Sequence, residues 1–157
     1  MQPLNKPLVG LGGWLTLLGF SLVVGPLRSV MSLFENYGSP ELKFMWQQFP
    51  AAVFPEVLLN GALLVMMLWL ASLFFQKAKS FPGFYMKVWL AALIIPPVNI
   101  ISAAIIIAVY SGKSVGELIQ AGLDPKDLGQ WFAILFWGGL WTAYLKRSRR
   151  VANTFVE

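Results

Sequence analysis

Charge is distributed along this 157-residue chain in clusters, and between the clusters lie four long stretches that carry none. Pro7 to Leu27 holds 21 uncharged residues, Val57 to Gln76 holds 20, Val88 to Gly112 holds 25 and Leu128 to Leu145 holds 18. A helix rises about 1.5 Å per residue, so about 20 residues cross a hydrocarbon layer of about 30 Å. Lipid offers the backbone no hydrogen bonds, so each stretch must satisfy its own as a helix. The spacing predicts an all-α membrane protein: one domain over 1–157, a four-transmembrane-helix bundle with spans at about 8–30, 56–76, 84–111 and 126–146.

Composition excludes the other classes. Hydrophobic residues make up 57% of the chain and charged ones 12%, against about 45–50% and about 25% in soluble domains. The mean hydropathy is +0.67. Water-soluble globular, disordered, collagen-like and coiled-coil chains do not look like this. The first span is too long for the apolar region of a signal peptide, has only Lys6 before it and no small-residue cleavage site after it, so it is expected to remain in the mature protein.

Several chemistries drop out with two residue types. The chain has no His and no Cys. Imidazole bases, thiolate nucleophiles, disulfides, iron–sulfur clusters and Cys or His zinc sites are therefore excluded. The spans hold no mid-span carboxylate, and no metal-ligand spacing is visible. The expectation is a protein that is not an enzyme, with no cofactor and no metal. The net charge of +5 points to anionic lipid headgroups rather than nucleic acid, because the cations border apolar spans.

Short helices are expected in the two outer loops. Ser39-Pro40-Glu41 reads as N-cap, first helical residue and acidic first turn, followed by Leu42, Met45, Trp46 and Phe49 at helical spacing. Ser114-Val115-Gly116-Glu117 is a capping-box pattern, with Gly122 as its stop. Asp124-Pro125 and Pro55-Glu56 read as the starts of the fourth and second spans. With four spans both termini share a side. That side carries eight cations (Lys6, Lys77, Lys79, Lys87, Lys146, Arg147, Arg149, Arg150) against four on the other (Arg28, Lys43, Lys113, Lys126). The positive-inside rule puts both termini in the cytoplasm.

Gly12-Gly13-Trp14-Leu15 opens the first span, and the chain closes on Trp141-x-x-Tyr144-Leu145-x-x-Ser148-x-Arg150-Val151-x-x-Thr154-Phe155. With these two motifs the chain resembles the bacterial inner-membrane family catalogued as domain of unknown function 2569. The resemblance implies a small four-span protein of a bacterial inner membrane and brings no activity and no catalytic residues with it.

Five features are candidates for function, each with a plainer reading beside it. Small residues four apart (Gly12/Thr16, Ser21/Gly25, Gly138/Thr142, Gly139/Ala143) fit packing within the bundle, or an interface with a second copy or another membrane protein. Trp14, Trp46, Trp131, Trp137, Trp141, Tyr85, Tyr110 and Tyr144 fit an interfacial belt, or an aromatic ligand pocket. Lys146, Arg147, Arg149 and Arg150 fit a topology anchor, or an anionic-lipid contact. Arg28 and Glu56 fit two hydrated interfacial charges, or a charge pair at the mouth of an outward cavity. Pro96 and Pro97 strip two N–H donors from the third span and free the carbonyls of Ala92 and Leu93. With Asn99 and Ser102 behind them they fit a repaired kink, or a polar ligand site in a broken helix. The ranking that follows is a lipid- or partner-binding membrane factor first, a small-solute or ion transporter or channel second, and an intramembrane enzyme last.

Overall fold

The computed structural model describes residues 9–156, with the side chains of Asn36 and Glu41 left aside. Lys6, the expected start of the first span at Leu8 and the acidic side chain of Glu41 lie outside the described residues. The described chain is helical throughout: α1 (Trp14–Gly38), α2 (Pro40–Gln48), α3 (Pro50–Phe75), α4 (Phe81–Ser111), α5 (Val115–Gly122), α6 (Pro125–Arg147) and α7 (Arg149–Thr154).

Local chemistry sets most of the helix starts. The Ser39 hydroxyl accepts the Leu42 N–H at 3.2 Å, the Ser114 hydroxyl accepts the Glu117 N–H at 3.2 Å, and the Asp124 carboxylate accepts the Lys126 N–H at 2.8 Å. These caps satisfy donors that a helix cannot bond internally, so α2, α5 and α6 begin where the sequence predicts. The end of α3 is less expected. Lys77 takes a left-handed φ of 57°, its N–H bonds to the Phe74 carbonyl, and the Ala78 N–H reaches back to Leu73. This is a Schellman stop made without the usual glycine.

Three boundaries differ from the sequence expectation. The second long helix begins at Pro50, and Pro55 lies inside it. Phe49 is the only residue between α2 and α3; the missing donor of Pro50 costs nothing in a first turn, while the one bond lost at Pro55 does not end a 26-residue helix. Helix α1 begins only at Trp14, and it runs ten residues past Arg28, about 15 Å. Arg28 therefore lies within the helix and not at its end. Helix α4 starts at Phe81 and remains helical through Pro96 and Pro97.

Segments Trp14–Glu35, Pro50–Phe75 and Phe81–Ser111 are long and apolar enough to cross a membrane. No more than 17% of each apolar stretch is buried within the protein, so its apolar side chains face outward, as lipid-facing residues do. Helix α6 is 23 residues long, but Gln130, its glycines and its tryptophans make it less apolar than the other three.

The long helices lie side by side in the order α1, α3, α4, α6, with α2 and α5 packed at the end where α1 and α4 finish. The core is concentrated at the opposite end. Leu15, Leu18, Phe74, Phe81 and Thr154 have almost no exposure. Phe155 stacks on Phe81 at 4.7 Å and tilts against Phe74 at 5.8 Å. Each such aromatic pair adds about 0.5–1.5 kcal/mol beyond its area. The last turn of the chain is thus locked into the junction between α3 and α4.

Candidate functional site

The two sequence motifs at the chain's ends meet in space. The Gly10 N–H donates to Thr154 Oγ1 at 2.9 Å, and the Thr154 hydroxyl donates to the Arg150 carbonyl at 2.7 Å. Gly10 and Gly13 take positive φ of 92° and 65°, which turns the chain into α1 under Arg150. A Cβ on Gly12 would stand 2.8 Å from Arg150 Nη1, so glycine is what lets the guanidinium close over this corner. Trp14 meets Trp141 edge to face at 6.4 Å. Of the four cations expected to face lipid, Lys146, Arg147 and Arg149 are exposed, whereas Arg150 is half-buried in this clasp. The terminal segment is a docked helix capped by Ser148.

One to two turns inside the clasp is an apolar cavity of about 210 Å³, lined by all four long helices, including Ser21 and Pro26 of α1, Leu70 of α3, Tyr85 and Ala92 of α4, and Gly138 of α6. Its far wall is the seam between α4 and α6, held by two reciprocal indole bonds. Trp131 Nε1 donates to the Leu93 carbonyl at 2.8 Å, and Trp89 Nε1 donates to the Ile134 carbonyl at 3.1 Å. Leu93 is the carbonyl that Pro97 leaves without its helical donor. The Trp89 ring occupies the space where a Cβ of Gly138 would stand. The small-residue pairs thus serve contacts inside the chain at Gly138, and also at Gly25, which sits against Met67.

The aromatic residues divide by exposure. Trp14, Trp46, Trp137 and Tyr110 are exposed, while Trp141 and Tyr85 are buried and Trp131 bonds across a helix seam. Trp89, which pins the same seam, is the residue that sequence reasoning passed over. The available signal was the proline pair: freed carbonyls in an apolar span call for a donor on a neighbouring helix.

A second cavity of about 240 Å³ lies at the other end, largely apolar but with Glu56 and Asn99 in its wall beside Ile100, Ala103, Ala104, Ile107, Leu118 and Gly122. Asn99 Nδ2 approaches Asn60 Oδ1 at 3.5 Å, and Ser102 donates to the Asn99 carbonyl at 3.1 Å. The buried Tyr37 hydroxyl lies near Asn60 and Glu56 but makes no well-formed hydrogen bond. Arg28 and Glu56 are not brought together. Arg28 is exposed on α1 and forms no ion pair with Glu56, because α1 extends past Arg28 and α3 begins before Glu56. Glu56 instead joins Asn99, so the expected polar site around Asn99 gains a carboxylate and loses the arginine. Among the described residues no group of acidic side chains could hold a metal ion.

Apolar helices with outward-facing hydrocarbon define the class: this is a helical membrane protein. Residues 8–156 match the model of the family described as Protein of unknown function (DUF2569), and the chain belongs to that family. No curated protein and no solved structure matches it.

Proposed function

We propose that the protein is a non-enzymatic, four-span component of a bacterial inner membrane, with both termini in the cytoplasm, that binds an anionic membrane lipid. The acyl chain occupies the apolar cavity among α1, α3, α4 and α6, and the phosphate lies near Lys146, Arg147 and Arg149. The observation that carries this reading is the position of the cavity. Ser21 lies seven residues inside Trp14 and Gly138 three inside Trp141, about 10 and about 5 Å along their helices. The apolar space therefore starts just below the basic end, at the depth of the first carbons below a headgroup. Each cation there contributes about 1 kcal/mol toward an anionic leaflet.

The fourth span is supported by α6 itself. Its 23 residues reach about 34 Å. Phe132, Phe136, Trp137 and Leu140 point outward, and its inner face is bonded to α4, so its exposed apolar side belongs in the same hydrocarbon layer. The transport alternative needs an unwound third helix. Helix α4 is unwound nowhere, and the Leu93 carbonyl already has a donor.

Gentle extraction followed by native mass spectrometry tests the lipid reading. Wild-type protein should retain phosphatidylglycerol or cardiolipin, and Lys146, Arg147 and Arg149 changed together to Gln should shed it, with raised salt acting in the same direction. Arg150 is left intact because it holds the clasp. Protein that emerges bare, or that keeps lipid equally well without the three cations, overturns the reading. A stoichiometric membrane-protein partner in place of lipid would move the function to partner binding.

A further inference from the structure

We propose that the cavity between α3, α4 and α5 binds a primary ammonium group, with the Glu56 carboxylate as its counter-ion and the Asn99 side-chain oxygen as a second acceptor. Glu56 lies half-buried in an apolar helix. It forms no ion pair and no hydrogen bond with any described residue. A carboxylate at such a position is stable only when a cation or hydrogen-bond donors face it. Of the polar groups that line the cavity, Glu56 offers only acceptors and the Asn99 amide directs its Nδ2 to Asn60, while the Tyr37 hydroxyl, a donor near Glu56 and Asn60, lies outside the lining. Asn99 Oδ1 is buried without a partner, and Asn99 Nδ2 reaches Asn60 Oδ1 at 3.5 Å. The surplus of oxygens calls for a ligand that donates several hydrogen bonds and carries positive charge. A primary ammonium has three donors and no acceptor.

The rest of the cavity narrows the class. Its volume of about 240 Å³ is several times the roughly 30 Å³ of a water molecule, so a bare ion would rattle in it. A hard metal ion takes about six oxygen ligands, and here the wall beyond Glu56 and Asn99 is Ile100, Ala103, Ala104, Ile107, Leu118 and Gly122. A quaternary ammonium is recognised by aromatic faces, and none lines the wall. Helix α5 covers the cavity through Leu118 and Gly122, where a Cβ would stand 3.7 Å from the Ile100 side chain. An ammonium on a short apolar stem fits that combination. It can come from a phosphatidylethanolamine headgroup or from a free small amine.

Melting of the full chain in vesicles distinguishes these sources and keeps the site separate from the basic end. Phosphatidylglycerol is held constant, and the remaining lipid is phosphatidylethanolamine or phosphatidylcholine. Wild-type protein should melt at least about 2 °C higher with phosphatidylethanolamine, or, if the source is a free amine, gain a similar shift in phosphatidylcholine vesicles when ethanolamine is added. Glu56→Gln and Asn99→Ala, each checked for native helix content by circular dichroism, should lose the shift. Wild-type protein that responds to neither amine overturns the proposal without need of a variant. A shift that survives in folded Glu56→Gln assigns it elsewhere and overturns it too. Neither result bears on anionic-lipid retention at the other end.

Discussion

The indole of Trp131 stands in for a backbone amide: its Nε1 donates at 2.8 Å to the Leu93 carbonyl, the group that Pro97 deprives of its partner. A bare carbonyl in hydrocarbon costs several kcal/mol, and this bond removes that cost while tying α6 to α4. Two residues 38 apart in sequence thereby convert a helix defect into a helix–helix contact.

Trp131→Phe should therefore destabilise the protein by about 1–3 kcal/mol, the cost of leaving a buried polar group unbonded. Pro97→Ala returns a donor to Leu93, so Trp131→Phe should cost clearly less in that background. A double-mutant cycle of unfolding free energies in detergent reads the coupling. Additive effects would show that the indole bond does not compensate for the proline.

Gly138→Ala should weaken the same seam from the other side, because the new Cβ would collide with the Trp89 ring. Overpacking of this kind costs about 1–3 kcal/mol. Combined with Trp89→Leu the loss should fall below the sum of the single changes, as thermal melts would record. A neutral Gly138→Ala would mean that the seam is looser than the contact implies.

Within the clasp, one hydroxyl supplies the hydrogen bond between the two chain ends. Thr154 is 2% exposed, so Thr154→Val leaves the half-buried Gly10 N–H without its acceptor and should cost about 1 kcal/mol or more. Thr154→Ser keeps the hydroxyl and should recover most of it. Protease sensitivity of the N-terminal segment, measured alongside stability, should rise in the valine variant only. Equal behaviour of the two variants would count against the bond.

Tyr37 should make stability fall in alkali. Burial raises its phenol above the ordinary 10.0; the Asn60 side chain offsets part of this and the negative charge of Glu56 adds to it. The unfolded chain then gives up this proton before the folded one does. The contribution is complete below about pH 10 and is lost as the pH climbs through the higher folded value. Across about pH 9–12, wild type should lose more stability than Tyr37→Phe. Parallel curves would remove Tyr37 from the account.

Orientation can be read with single cysteines, since the chain has none of its own. With the termini inside, an impermeant thiol reagent on intact cells should label Ser39→Cys and Gly122→Cys and spare Ser80→Cys and Ala152→Cys. The opposite pattern would invert the topology and place the basic end outside.

The part of the fold legible in the residues alone is the part governed by short-range free energies. Charge is costly in hydrocarbon, so the uncharged stretches mark the apolar helices, and Ser39, Ser114 and Asp124 mark helix starts because a cap acts within one turn. Even there, Pro55-Glu56 looks like a helix start, yet Pro55 lies inside α3, because a lone proline does not stop a long helix. Tertiary structure alone decided which side chains meet. Helices that are apolar all round carry no polar face to set their rotation, so no sequence pattern says which residues of α1, α3, α4 and α6 turn inward. That rotation separates Arg28 from Glu56, brings Glu56 and Asn99 to one cavity, and aims Trp131 at Leu93. The link from Gly10 to Thr154 across 144 residues joins two motifs that the sequence displays separately. Only the folded chain shows them to be one structure.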